Sequence, residues 1–212
     1  SNGAQIDIVE FSNDAAVLTP LTANLETLHA AINSASPAGG GTSVSDGLAS
    51  GLAVMTGAGA RADVPRTLVL LTDGVQTVDG DDSTAIAEAS VVKAAGVQVV
   101  SIGFGGARAV TIRAMASKPE DTFAFFADDM EAIREHFAGA RLCDLAGKPQ
   151  GPPPPSPPPL LPAPPGRPPS SPSPPSPPPP PPPCVVRLDL VLVLDKSGSV
   201  RSAQSSMLAF AR

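Results

Sequence analysis

The sequence has no tryptophan, no tyrosine and only seven phenylalanines in 212 residues. A core without large rings must be built from Val, Leu, Ile and Ala, which suits closely packed helices in a small α/β fold. Basic residues are also scarce: 14 Lys and Arg stand against 20 Asp and Glu, a net charge of −6. That balance offers no basic patch for phosphates and excludes a strongly nucleic-acid-binding surface. No run reaches the ~18 apolar residues that span a bilayer. No basic–apolar–small signal segment opens the chain either. The chain starts on "SNGAQIDIVEF" without Met and stops inside an expected helix, so it reads as an excerpt of something longer, with any targeting signal outside it.

What is abundant is proline, and it is concentrated. All but four of the 27 prolines (Pro20, Pro37, Pro65 and Pro119) fall between Pro149 and Pro183. This stretch of "SPPPP"-like repeats favours polyproline II, stiff and extended, and at about 3.1 Å per residue it could span roughly 100 Å. Three parts follow: residues 1–148, long enough for one domain with a core; the spacer 149–183; and residues 184–212, too short to fold alone.

Within residues 1–148 strands and helices alternate. "QIDIVEF" (5–11) alternates as a strand, with "AAVLTPL" as a hairpin partner carrying Pro20 at its edge. Leu21, Leu25, Leu28 and Ile32 recur at helical spacing behind Thr22 as the expected cap, and Val44, Leu48, Leu52 and Met55 mark a second helix. "TLVLLTDG" (67–74) reads as a strand buried on both faces. A helix over 83–95, the strand "VQVVSIGFG", a short helix over 107–117, "FAFF", and a helix from about Asp129 to Leu142 complete the series. This order predicts an α/β fold, a doubly wound and mostly parallel sheet with helices on both faces.

Beyond the spacer, "CVVRLDLVLVLD" opens another buried strand and runs into Asp195-x-Ser197-x-Ser199. Two other loops carry oxygen ligands next to strand ends: Thr42 in "GGGTS" and Asp73 in "LLTDG". In an open parallel sheet, ligands gather at the carboxyl ends of the strands. An all-oxygen donor set suits a hard divalent cation: Mg²⁺, or Mn²⁺ or Ca²⁺. Singly, Ser197, Ser199 and Thr42 would be ordinary turn and cap residues. Asp81, Asp82, Asp128 and Asp129 read as solvated loop and helix-start charges, and His29 and His136 as ordinary surface or half-buried residues. "GGGTS" lacks the Walker lysine, and "GFGGAR" is an equally weak phosphate-loop match.

The segments "VLDKSGS", "IVEFSNDAAV", "GGGTSVSDGL", "LVLLTDG", "AAGVQVVSIGFG" and "MASKPEDTFAFFADDMEAI" together resemble the von Willebrand factor type A domain, the integrin inserted-domain fold. The resemblance covers nearly all of the chain outside the prolines. It implies a metal-ion-dependent adhesion site, or MIDAS, formed by Asp195, Ser197, Ser199, Thr42 and Asp73. It also implies a strand order in which the DxSxS strand, first in the family, lies mid-sheet. Residues 1–148 lack that strand and its helix, and residues 184–212 hold the strand, the loop and the helix start. The expectation is therefore a circularly permuted domain whose C-terminal segment fills the central slot, with strand-swapped self-association as the competing outcome.

On the same resemblance the function expected is non-enzymatic: an extracellular adhesion or matrix module that binds Asp or Glu carboxylates of protein partners, matrix glycoproteins among them, through the metal. The alternative is a structural cell-wall glycoprotein in which the domain is a packing module and the metal only stabilises loops. "VLVLDKSGS" is superficially similar to a phosphatase strand ending in Asp-x-Asp, but Ser197 replaces the second Asp and removes the acid/base group. A chaperone-like A-type domain coupled to an intracellular ATPase fits the spacer poorly. The spacer looks like hydroxyproline-rich, glycosylated segments of wall proteins, which places the chain outside the cell, in a wall or matrix.

In the resembling family the domain termini lie close together, and in many secreted members a disulfide clamps them. This implies a Cys143–Cys184 bridge, against the plain reading of two unrelated thiols. Peptide mapping after expression in an oxidising compartment is expected to find the bridge. It would close a loop of about 40 residues, worth roughly 4 kcal/mol before strain; two free thiols would reject it.

Overall fold

The computed structural model describes residues 3–35, 39–127 and 187–210. Among the described residues, six strands form one sheet in the order β2-β1-β6-β3-β4-β5. They are β1 (Gln5–Phe11), β2 (Ala15–Thr22), β3 (Arg66–Thr72), β4 (Gln98–Phe104), β5 (Ala124–Ala127) and β6 (Asp189–Asp195). Of the described pairings, β1–β2 is an antiparallel hairpin and the others run parallel. The helices are α1 (Leu25–Asn33), α2 (Val44–Thr56), α3 (Asp82–Ala94), α4 (Ala109–Met115), α5 (Glu120–Phe123) and α6 (Gln204–Phe210), with a 3-10 turn at Gly198–Ser202. The doubly wound class expected from the alternation of strands and helices is the one found.

β6 occupies the middle. It pairs with β1 from Gln5↔Asp189 to Phe11↔Asp195 and with β3 from Arg66↔Asp189 to Leu71↔Leu194. All seven of its residues are buried, which is why "DLVLVLD" reads as an almost continuous apolar run. Val193 faces α2, where two glycines allow close approach. A Cβ on Gly47 would lie 2.9 Å from Val193 and 2.8 Å from Phe11, and one on Gly51 would lie 2.6 Å from Leu68. Larger residues there would lift the helix off the sheet.

Two local expectations are corrected. Thr22 does not cap the first helix: it remains in β2, opposite Ile6. Asn24 is the cap, its Oδ1 accepting from the backbone N of Glu26 (2.9 Å) and of Thr27 (3.2 Å). Leu21 accordingly belongs to the strand, and Leu25 is exposed, so only Leu28 and Ile32 of that set reach the core. The expected helix 107–117 shortens to α4, because Pro119 and an extended Ala116 end it. Cys143, Cys184, His136, Asp128, Asp129, the helix expected from Asp129 and the spacer 149–183 lie outside the described residues.

One core residue is out of character. Asp7, on β1 opposite Val191, is fully buried, and neither carboxyl oxygen has a hydrogen-bond partner among the described residues. Burial pushes its pKa from the ordinary 3.8 to about 7. The folded state thus holds this proton more tightly than the unfolded state. Stability is full below about pH 4, declines as pH rises toward 7, and stays low above it. At about 1.4 kcal/mol per unit, wild type is expected to lose about 2–3 kcal/mol between pH 5 and pH 8 through this group. Urea unfolding at both pH values checks this: Asp7→Asn should remove that part of the slope, and unchanged slopes would reject the assignment.

Candidate metal site

The carboxyl ends of β6 and β3 meet the loop that leads into α2, and the three loops are tied by backbone bonds. Lys196 N donates to Phe11 O (2.8 Å), Gly198 N to Gly40 O (3.0 Å) and Gly39 N to Lys196 O (2.8 Å). Thr77 N donates to Thr42 O (2.8 Å), while Thr42 N donates to Thr77 Oγ1 (2.9 Å). Gly40 has φ +83°, a conformation that favours glycine, and a Cβ on Gly41 would lie 2.5 Å from Val78. The glycines of "GGGTS" therefore serve close loop packing.

Four of the five expected residues form one chain of contacts. Asp195 Oδ1 accepts from Ser197 N (2.8 Å), and the Ser197 and Ser199 hydroxyls lie 2.9 Å apart. Ser199 Oγ donates to Asp73 Oδ1 (2.7 Å), so the last strand's loop reaches the loop after β3. Thr42 joins across Gly74: a Cβ there would lie 3.4 Å from Thr42 Oγ1 and 3.5 Å from Ser199 Oγ. Ser197 makes no side-chain cap bond to the turn it precedes, so its hydroxyl is not spent on capping. Exposure is graded, from buried Asp195, Ser197 and Thr42 through half-buried Asp73 to exposed Ser199. The cluster opens to solvent on the Ser199 side.

Electrostatics match a cation site. Burial raises the pKa of Asp195, hydrogen bonds from Thr72 and Ser197 oppose it, and the charge of Asp73 raises it further. Burial likewise raises Asp73, against its bond from Ser199. Two carboxylates converge with hydroxyls in a partly desolvated space, where a divalent ion would reverse the penalty on both. Lys196, next to Asp195 in sequence, donates instead to Glu10 Oε1 (2.7 Å). The donor set is all oxygen, which suits a hard ion, so these residues fit the expected metal.

Several residues that shape the site carry no metal-ligand signature in the sequence. Thr72 donates its hydroxyl to Asp195 Oδ2 (2.6 Å). Gln76 is buried and bridges Ser45 at the start of α2, donating to its Oγ (2.6 Å) and accepting from its N (3.1 Å). Asp82 does more than start α3: it accepts from Gln76 N (3.1 Å) and Thr111 Oγ1 (2.7 Å), holding the β3 loop to α4. Asn13 accepts from Gly41 N (2.6 Å). Gly105, at φ +56°, and Gly106 bring the β4–α4 loop against Asp73, whose carbonyl oxygen would lie 3.2 Å from a Cβ on Gly106.

Comparison with protein-family models matches residues 1–138 to the von Willebrand factor type A domain. The chain belongs to that family. The matched span ends before β6 and the Asp195-x-Ser197-x-Ser199 loop that begins at its end. Mouse Matrilin-4 is 29% identical over 153 residues, covering 67% of this chain and 23% of Matrilin-4, so the chain spans about a quarter of that relative. Among solved structures, proximal thread matrix protein 1 from the mussel byssus aligns at TM-score 0.52 and 25% identity over 66% of this chain and 34% of that one. BatB from Bacteroides thetaiotaomicron shares the fold at TM-score 0.53 and 15% identity, over 67% of this chain and 79% of BatB.

Thr72→Val removes one acceptor bond from a buried carboxylate without changing side-chain shape much. The cost expected is about 1–3 kcal/mol, with Thr72→Ser near wild type. Denaturant unfolding of both variants measures it, and a neutral Thr72→Val would mean the bond contributes nothing.

Proposed function

We propose that this VWA domain is a non-enzymatic module of the extracellular matrix or wall that captures carboxylate groups of protein partners at a divalent-metal site. The observation that carries the reading is the contact chain from Asp195 through Ser197 and Ser199 to Asp73, with Thr42 aimed at the same space. Asp195, Ser197, Ser199, Thr42 and Asp73 would hold the ion, Mg²⁺ in the first instance and Mn²⁺ or Ca²⁺ as alternatives. When bound, the ion supplies an electrophilic centre for an incoming carboxylate. Two carboxylates and three neutral hydroxyls leave charge and coordination for a partner's acidic side chain to complete. Thr72 and the Ser197 amide hold Asp195 in place, and Gln76 fixes the start of α2, just beyond Thr42.

Two further observations support this reading. One structure of the mussel thread matrix protein is described as having a zinc-occupied MIDAS motif. Ser197 stands where an aspartyl phosphatase would need its second carboxylate, and none of the five residues is a general base of the His or Glu type. No described helix is long and apolar enough to cross a membrane. The proline spacer would separate such modules, so that linked weak sites act at high effective concentration.

Titration of the full chain with Mg²⁺ or Mn²⁺ is expected to raise its melting temperature. The stabilisation is about 2.7 kcal/mol when free metal is a hundredfold above Kd. Asp195→Ala should abolish calorimetric binding. Equal metal affinity in wild type and variant would reject the site.

A further inference from the structure

β6 is held by three features that read its sequence. At its start, buried Asp189 receives Arg61 N on Oδ2 (2.7 Å) and Arg61 Nε on Oδ1 (2.8 Å). The same guanidinium donates to Leu188 O (2.7 Å) and Gly3 O (3.0 Å), so it joins β6 to the residues leading into β1. At the far end, Lys196 pairs with Glu10, and both side chains are largely buried (19% and 6% exposed), so the pair is poorly screened. Between them, Val193 lies in the groove left by Gly47 and Gly51.

The charges have a polarity. Along the segment Asp189 opens the strand and the neighbouring Asp195 and Lys196 close it; the surrounding domain offers Arg61 to Asp189 at the start and Glu10 to Lys196 at the far end. Antiparallel entry would set Asp189 against Glu10 and Lys196 against Arg61. A one-residue slip would turn every side chain to the opposite face and lose both pairs. These partners lie within residues 188–196 on one side and 3–68 on the other, so the recognition does not depend on which molecule supplies the strand.

We propose that the space between β1 and β3 is a strand-binding site whose ligand is the segment Leu188–Lys196, read by Arg61, the Gly47–Gly51 groove and Glu10, and that it accepts this segment from a second copy of the chain. The segment brings Asp195, and with it Ser197 and Ser199, so in an exchanged pair each cluster is built from two molecules. This rests on the pairing geometry and stands whether or not the cluster binds metal. Exchange competes with the chain's own segment, which is favoured by its tether at low protein concentration.

The test uses the full chain carrying a protease-cleavage sequence within 149–183, folded and then cut. The two fragments are expected to co-elute, and a labelled synthetic peptide of residues 184–204 should displace the resident fragment. Peptides carrying Asp189→Asn or Lys196→Glu should compete at least tenfold less well. The Glu10→Lys domain should recover affinity for the Lys196→Glu peptide, an outcome that packing alone would not give. Two differently tagged full chains refolded together at high concentration should form mixed dimers in native mass spectrometry. The proposal is overturned if the cut fragment leaves a domain that still unfolds cooperatively, if altered peptides compete equally, or if mixed dimers never form.

Discussion

A parallel sheet covered on both faces cannot be missing its middle strand, and here that strand arrives from the far end of the chain. Each β6 residue is buried, and its backbone is bonded to β1 on one side and to β3 on the other. Without it, two rows of backbone N–H and C=O groups would lie unpaired in the interior, each costing about 1–3 kcal/mol. The apolar side chains of Ile8, Val9, Leu68 and Leu70 would lose their central neighbours as well. Packing on both faces, the hairpin on one side and the three parallel strands on the other all depend on that one insertion.

The metal-type cluster depends on the same strand. Around β6 the winding direction reverses, since β1 and β2 lie on one side while β3, β4 and β5 follow on the other. Loops from opposite sides diverge at such a point and leave a crevice at the carboxyl ends. Asp195 is the last residue of β6, so its carboxylate sits at the floor of that crevice, where Thr72 and the Ser197 amide bind it. Lys196 is drawn away to Glu10. A strand designed only for stability could have used that ammonium to neutralise Asp195. Its diversion leaves Asp195 in the repulsive field of Asp73.

Much of this was legible because burial and chemistry leave short, local marks. The run "LVLVLD" is apolar at consecutive positions since both faces are covered, and the five oxygen residues stand next to strand ends. What could not be read were partnerships across distance. Thr72 gives its hydroxyl to a residue 123 positions away, and Gln76 and Ser45 are 31 apart. Nothing local distinguishes that Thr or Gln from a solvated one. Asp82 reads as solvated because its neighbours suggest a helix start, which it is, yet its carboxylate also binds Thr111. Thr22 reads as the cap because Leu21 fits both a strand and a helical stripe; pairing with β1 decides for the strand, and Asn24 caps the helix.

The division of the cluster between two segments has a thermodynamic consequence. Asp195, Ser197 and Ser199 ride on the inserted segment, whereas Thr42 and Asp73 belong to the domain that receives it. Any ligand that bridges the two sets binds the inserted state and not the empty one. It must therefore strengthen seating of β6 by the same factor by which seating strengthens its own binding. The Ser199–Asp73 bond already makes such a bridge, at 2.7 Å and on the exposed side of the cluster. A cation in that space would add charge pairing where burial now disfavours both carboxylates. On the proposed reading, the site is thus more than a hook for partners: its occupancy also governs how firmly the central strand is held, whichever chain supplies it.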